Sequence, residues 1–210
     1  MNYNKSVPSL ALVVALGLSL SACGGSPSAA VPSPNVESLA PSTPTPSASP
    51  EGKKSSRGNI VKAFAEPAVI TDLSSDKPIV TFTVNSITAD VPCTGPYPSA
   101  VENGNIVVLD VTIETSPELA SDEAGYDVFD MNPSMFKFVG ANGTTFNGDL
   151  GTQGAYSCLP DEQQVGANGG GVGPGEKVTG KIALDLPEKT GTLVFKSYLV
   201  SGSGGWEWAF

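Results

Sequence analysis

Histidine is absent from all 210 residues, and arginine occurs once, as Arg57. Without histidine the chain lacks the commonest general base and a leading metal ligand. Without basic clusters it lacks the footprint that a nucleic acid requires, so nucleic acid is excluded as a partner. Acid dominates instead: from Gly58 to Phe210, nineteen Asp and Glu face seven Lys, a formal charge of −12. That surplus suits a soluble domain outside a cell. Long apolar runs are also missing, since Leu10 to Leu20 is the longest and is too short to span a bilayer. Cysteine is scarce, at positions 23, 93 and 158.

The run Leu10 to Leu20 follows a polar start with one cation, Lys5, and ends in Leu20-Ser21-Ala22-Cys23. Charge, apolar length and small residues together make Met1 to Ala22 a signal peptide. The box resembles that of bacterial lipoproteins, which implies that Cys23 becomes the lipidated first residue of the mature chain. Two acyl chains on one cysteine give stable anchoring where one gives little. The expected location is therefore a cell membrane, with the membrane as partner through the lipid and the domain facing outward. Between Cys23 and Arg57 the chain is almost all Ser, Pro, Ala, Gly and Thr, without hydrophobic periodicity. It reads as a disordered linker, spanning roughly 30 Å as a coil and about 100 Å as polyproline II.

The remainder, Gly58 to Phe210, has the length of one domain and is organised around Asn105 to Thr115. There Val107, Leu109, Val111 and Ile113 alternate with Asp110, Thr112 and Glu114, the period of two that marks a half-buried strand. Lys177 to Leu186 repeats the pattern, with Val178, Ile182, Leu184 and Leu186 inward and Lys181 and Asp185 outward; Gly180 on the inner face suggests a close backbone approach. Further strands are expected over Ile60 to Phe64, Ala68 to Thr71, Ile79 to Val84, Met135 to Val139, Thr144 to Phe146 and Thr192 to Leu199, and the chain closes on Trp206 to Phe210 with three large aromatics on one side. Asn142-Gly143 supplies a hairpin turn. Seven to eight short strands without a helical window predict an all-β, immunoglobulin-like β-sandwich.

With one cysteine taken by lipid, Cys93 and Cys158 remain as a pair in an oxidising compartment and are expected to form a disulfide. The bond would bring Tyr97 and Tyr156 together, and the surface around it is the candidate contact patch, since tyrosine anchors interfaces. Asp122, Glu123, Asp127 and Asp130 crowd one loop and are weak calcium candidates at a spacing that matches no EF-hand. Ser74 with Lys77, Ser134 with Lys137, and Lys189-Thr190-Gly191 imitate penicillin-interacting enzymes, but on strands and loops rather than a helix. Asp110 and Glu114 are roughly 13 Å apart on a strand, too far for the carboxylate pair of a glycosidase. Gly169 to Gly175 lacks the lysine of a phosphate cradle and reads as a mobile loop. Trp206, Trp208 and Phe210 form either a binding platform or core. No cofactor or metal is called for, and no catalytic residue.

Four segments together resemble a family of Gram-positive, often actinobacterial, lipoproteins with an immunoglobulin-like domain of unknown function. They are Phe82-Thr83-Val84-Asn85-Ser86-Ile87, Val107 to Thr112, Phe136 and Phe138 before Gly140 to Gly143, and Pro174 to Gly180 leading to Leu184-Asp185-Leu186-Pro187. That superfamily is similar in kind to the secreted immunoprotective extracellular antigen of mycobacteria. The resemblance implies a sandwich and no established activity. The expected function is a non-catalytic binding or structural role in the cell envelope, with a protein or cell-wall partner. A calcium-dependent adhesion module and a carboxylate-based envelope hydrolase are the alternatives.

Overall fold

The computed structural model describes residues 52–72, 74–121, 127–167, 169–200 and 204–210. The signal segment, Cys23 and the linker up to Glu51 lie outside these residues, as do Asp122 and Glu123. Among the described residues, eight strands form two four-stranded sheets. One sheet orders β2 (Ala68–Thr71), β3 (Pro78–Ala89), β4 (Asn105–Thr115) and β6 (Lys177–Leu186), every neighbour antiparallel. The other orders β1 (Ile60–Val61), β8 (Trp206–Ala209), β7 (Thr192–Phe195) and β5 (Phe136–Val139), with β1 parallel to β8. Among the described residues, helix is confined to the single turn α1 (Gln153–Tyr156) and three short 3-10 segments. The fold is a β-sandwich.

Strands β4 and β6 begin and end where their alternation does, and they pair Val107 with Leu184, Leu109 with Ile182, Val111 with Gly180 and Ile113 with Val178. Strand β3 outruns its expected end at Val84 because the pattern changes parity there. The register shifts between Val84 and Ser86, a bulge that inserts Asn85. Val80, Phe82 and Val84 point inward before it, and Ile87 and Ala89 meet the same core after it. The displaced Asn85 donates from Nδ2 to Asp110 Oδ1 at 2.8 Å and to Thr112 Oγ1 at 3.1 Å.

Phe82 occupies the centre of the inter-sheet core, 4.9 Å from Trp206 and 5.3 Å from Phe195 between ring centroids, both edge-on. Trp206 and Trp208 are buried and Phe210 stacks edge-on to Phe138, so these aromatics are core and not a platform. Between the two tryptophans Glu207 faces the other way, yet it too is buried. It accepts from Arg57 Nε and Nη2 and from Asn59 Nδ2 at 2.9 to 3.1 Å. Lys53 O accepts from Val61 N, and Lys54 bridges to Ile60. The packed chain therefore reaches back to Gly52, before the expected boundary at Gly58, and Arg57 belongs to the folded unit rather than to a linker.

Other expectations change. The glycine-rich loop is pinned, since Val172 is buried and exchanges backbone hydrogen bonds with Phe129 at 2.8 and 2.9 Å. Thr144 to Phe146 makes one bridge, Val139 to Thr145, rather than a strand. The turn before it closes with the Gly143 N–H donating to Gly140 O, and Gly143 has positive φ, +82°, while Asn142 does not, so the Asn-Gly pair does not form the two-residue turn with positive φ at both positions.

Candidate functional site

The outer face of β4 and β6 should be wet, because their polar residues point to it. Toward one end it is dry. Ile106 and Val108 of β4 and Ala183 of β6 are buried there, under Cys158, Leu159, Val91 and Cys93. A flap of two chain segments, one running from Val91 to Gly104 and the other around α1, covers this end of the sheet.

Three devices fix the flap. Cys93 and Cys158 are positioned as a disulfide, Sγ to Sγ 2.12 Å with Cα atoms 4.3 Å apart. Beside it, Thr94 N and Gly95 N both donate to Cys158 O, at 2.7 and 2.8 Å, and Ser99 N donates to Ser157 Oγ. Glycine is required at this crossing: a Cβ on Gly95 would stand 2.2 Å from Ser157 O, and one on Gly154 would stand 2.6 Å from Ala100 O.

The third device is Asp185, expected on the wet face and in fact fully buried. Its carboxylate accepts from Glu102 N at 2.7 Å, Asn103 N at 3.1 Å, Gly104 N at 3.2 Å and Thr152 Oγ1 at 2.8 Å. Thr152 is also the N-cap of α1, where it accepts from Ala155 N. One carboxylate thus holds the entry to β4 and the start of α1 together. Charge-assisted bonds of this kind are roughly twice as strong as neutral ones.

The flap presents the two tyrosines named from the sequence. Tyr97 is 88% exposed and Tyr156 47% exposed. Burial of part of its ring, then the charges of Asp149 and Asp130, push the Tyr156 hydroxyl above its ordinary pKa. It therefore stays a neutral donor throughout the physiological range. Tyr156 also lines a cleft of about 150 Å³ with Asn132, Pro133, Gln164 and Lys181. Gln164 closes the cleft's edge, donating from Nε2 to Tyr156 O and Leu159 O.

The other residues singled out above are dispersed. Asp127 is exposed and Asp130 half-buried, and among the described residues no three acidic, histidine or cysteine side chains gather as a metal group. Asp110 is bonded to Asn85, and Glu114 pairs with Lys177 at 3.1 Å. Ser134 donates to Asn132 Oδ1 in a turn and Ser74 to Asp72 Oδ1, while Lys189 pairs with Asp90. Neither Ser-x-x-Lys pair is brought to a common helix face. Asp72 is held well below the usual carboxylate range by the hydroxyls of Ser74 and Ser75 and the Ser75 amide, a turn rather than a site.

Sequence reasoning missed Asp185 and the Arg57, Asn59 and Glu207 cluster. A signal for the first was present: Ile106-Val107-Val108-Leu109 is continuously apolar at the start of β4, which is how a strand covered on both faces reads.

No protein-family model matches the chain, and no curated protein does. Among solved structures, MPT63, a secreted protein from Mycobacterium tuberculosis, aligns with a TM-score of 0.45 and 18% identity, over 72% of this chain and 98% of that one. The likeness lends nothing to the flap, which stands on the geometry above.

Proposed function

We propose that this chain is a non-catalytic binding module held at the outer face of a cell membrane by lipid on Cys23, and that it contacts its partner through the flap around Cys93 and Cys158. The observation that carries this is Tyr97, 88% exposed on a segment that the cysteine pair and two backbone bonds to Cys158 hold still. An amphipathic ring already fixed in place loses little entropy on binding, which is what makes tyrosine an effective interface anchor. The carboxylates of the outer strand face are already engaged by neighbours, which favours binding over hydrolysis.

Chemical crosslinking on intact cells tests it. The Tyr97→Ser, Tyr156→Ser double variant should melt like the parent and lose the crosslinked partner band. An unchanged band would refute the flap as the contact surface. Cys23→Ala should release the chain from the membrane fraction, and a variant that stays there as fully as the parent would refute the anchor.

A further inference from the structure

The dipeptide Asn-Gly occurs four times, at Asn103-Gly104, Asn142-Gly143, Asn147-Gly148 and Asn168-Gly169. Such a pair carries its own chemistry. The glycine nitrogen can attack the side-chain carbonyl carbon of the asparagine, because glycine has no Cβ to crowd that nitrogen and its backbone is free enough to close the ring. Whether the attack proceeds depends on what holds the two groups. Asn168 lies outside the described residues, and the structure treats the other three pairs differently.

Asn103 is locked. Its Nδ2 donates to Asp149 O at 2.7 Å and to Asp185 O at 2.8 Å, and its backbone N–H and that of Gly104 both donate to the Asp185 carboxylate. Asn142 is held more lightly: its Oδ1 accepts from Thr144 N at 2.8 Å, and Gly143 N donates to Gly140 O at 2.9 Å. Asn147 is exposed, and neither its side-chain amide nor the Gly148 N–H has a hydrogen-bond partner among the described residues. Both reacting groups are therefore open at this pair alone of the three. The glycine is also fixed by packing. A Cβ on Gly148 would stand 2.4 Å from Cζ and 2.5 Å from Cε1 of Phe146, whose ring packs against the core.

We propose that Asn147 is a site of spontaneous deamidation in the folded chain. The Gly148 nitrogen gives its proton to solvent and bonds to Asn147 Cγ; the Cγ–Nδ2 bond breaks, and the side-chain nitrogen takes a proton from water and leaves as ammonia. Water then opens the cyclic imide at either carbonyl, leaving aspartate at one and, at the other, isoaspartate, in which the main chain runs through Cγ. Each event adds one negative charge. The isoaspartyl form also lengthens the main chain by one carbon just before Asp149, whose carbonyl oxygen holds Asn103 in the flap.

The test is fragmentation mass spectrometry of the full-length protein after incubation in mildly alkaline buffer, folded and in urea. In the folded chain acid should accumulate at Asn147 faster than at Asn103 by about tenfold or more, since reaction at Asn103 must first break hydrogen bonds to both groups. Asn142 should fall between them. Isoaspartate should accompany aspartate at position 147, and the rate should rise with pH, because the attacking nitrogen must lose its proton. In urea the three positions should converge, since the bonds that separate them are gone. Asn147→Gln, which would have to close a larger ring, should melt like the parent and keep its amide over the same period. Asn147 staying intact in the folded chain, Asn103 or Asn142 reacting as fast as Asn147 there, or a ranking unchanged by urea would overturn the proposal.

Discussion

Replacing Asp185 by alanine removes the acceptor of four hydrogen bonds at once. Each bond to a charged acceptor contributes about 1.5 to 3 kcal/mol when measured alone. The four do not add, because they share one group, and because the amides of Glu102, Asn103 and Gly104 belong to a surface loop where water can replace the carboxylate. Thr152 is buried and has no such recourse for its hydroxyl. About 4 kcal/mol is therefore expected for Asp185→Ala, the range found when one member of a buried charged set is removed. Asp185→Asn keeps the shape and one acceptor oxygen but turns an NH2 toward N–H donors, for about 2 kcal/mol. In a domain of this size the alanine variant should melt about 10 °C lower. Amide exchange localises the effect: protection should fall first at Glu102, Asn103 and Gly104, the three backbone donors. A loss under about 1 kcal/mol with those amides still protected would show that the flap is held by its cysteines alone.

Mass spectrometry of the secreted domain without reductant should find Cys93 and Cys158 bonded, and replacing both by serine should cost about 4 kcal/mol in the loop-entropy model for a closure of 65 residues; two free thiols would refute the pairing. Burial pushes the Glu207 carboxyl up, but hydrogen bonds from Asn59, Arg57 and Ser55 and the charge of Arg57 outweigh it and leave it below the ordinary value of 4.5. The unfolded chain then takes up the proton first, so the stabilisation is fully present above about pH 4.5 and disappears as the pH falls through the lower folded value. Melting followed from about pH 6 to about pH 3 should show a shallower acid loss in Glu207→Gln than in the parent, and an identical slope would refute the role of this carboxylate.

The strands most legible in the sequence are those whose two faces differ along their whole length. β4 and β6 meet that condition over most of their residues, and their ends agree with the alternation to the residue. β3 was legible only to Val84, because a bulge reverses which residues face inward and a period-two reading cannot cross it. Gly180 does take the close approach that its place on the inner face suggests: a Cβ there would lie 2.9 Å from Val165 Cγ2 and 3.2 Å from Gln163 O. What passes across it, the segment containing Gln164, makes a parallel bridge to Lys181 that no local pattern encodes. Asp185 failed for the same reason. Alternation assigns it a face, but whether that face is wet depends on a flap contributed by residues 81 to 83 positions before it and 33 before it.

The placement of Arg57 differs for another reason, since composition draws the linker boundary, whereas the pairing of Lys53 and Lys54 with β1 and the Arg57–Glu207 ion pair carry the packed chain past it. Residues 53 and 54 lie along β1, at one edge of the β1-β8-β7-β5 sheet. The flap covers the outer face of the other sheet, across the full thickness of the sandwich. For a chain tethered from its N-terminal side, as proposed above, Tyr97 would lie on the far side of the core from the first packed residues, where a partner approaching from outside would meet it.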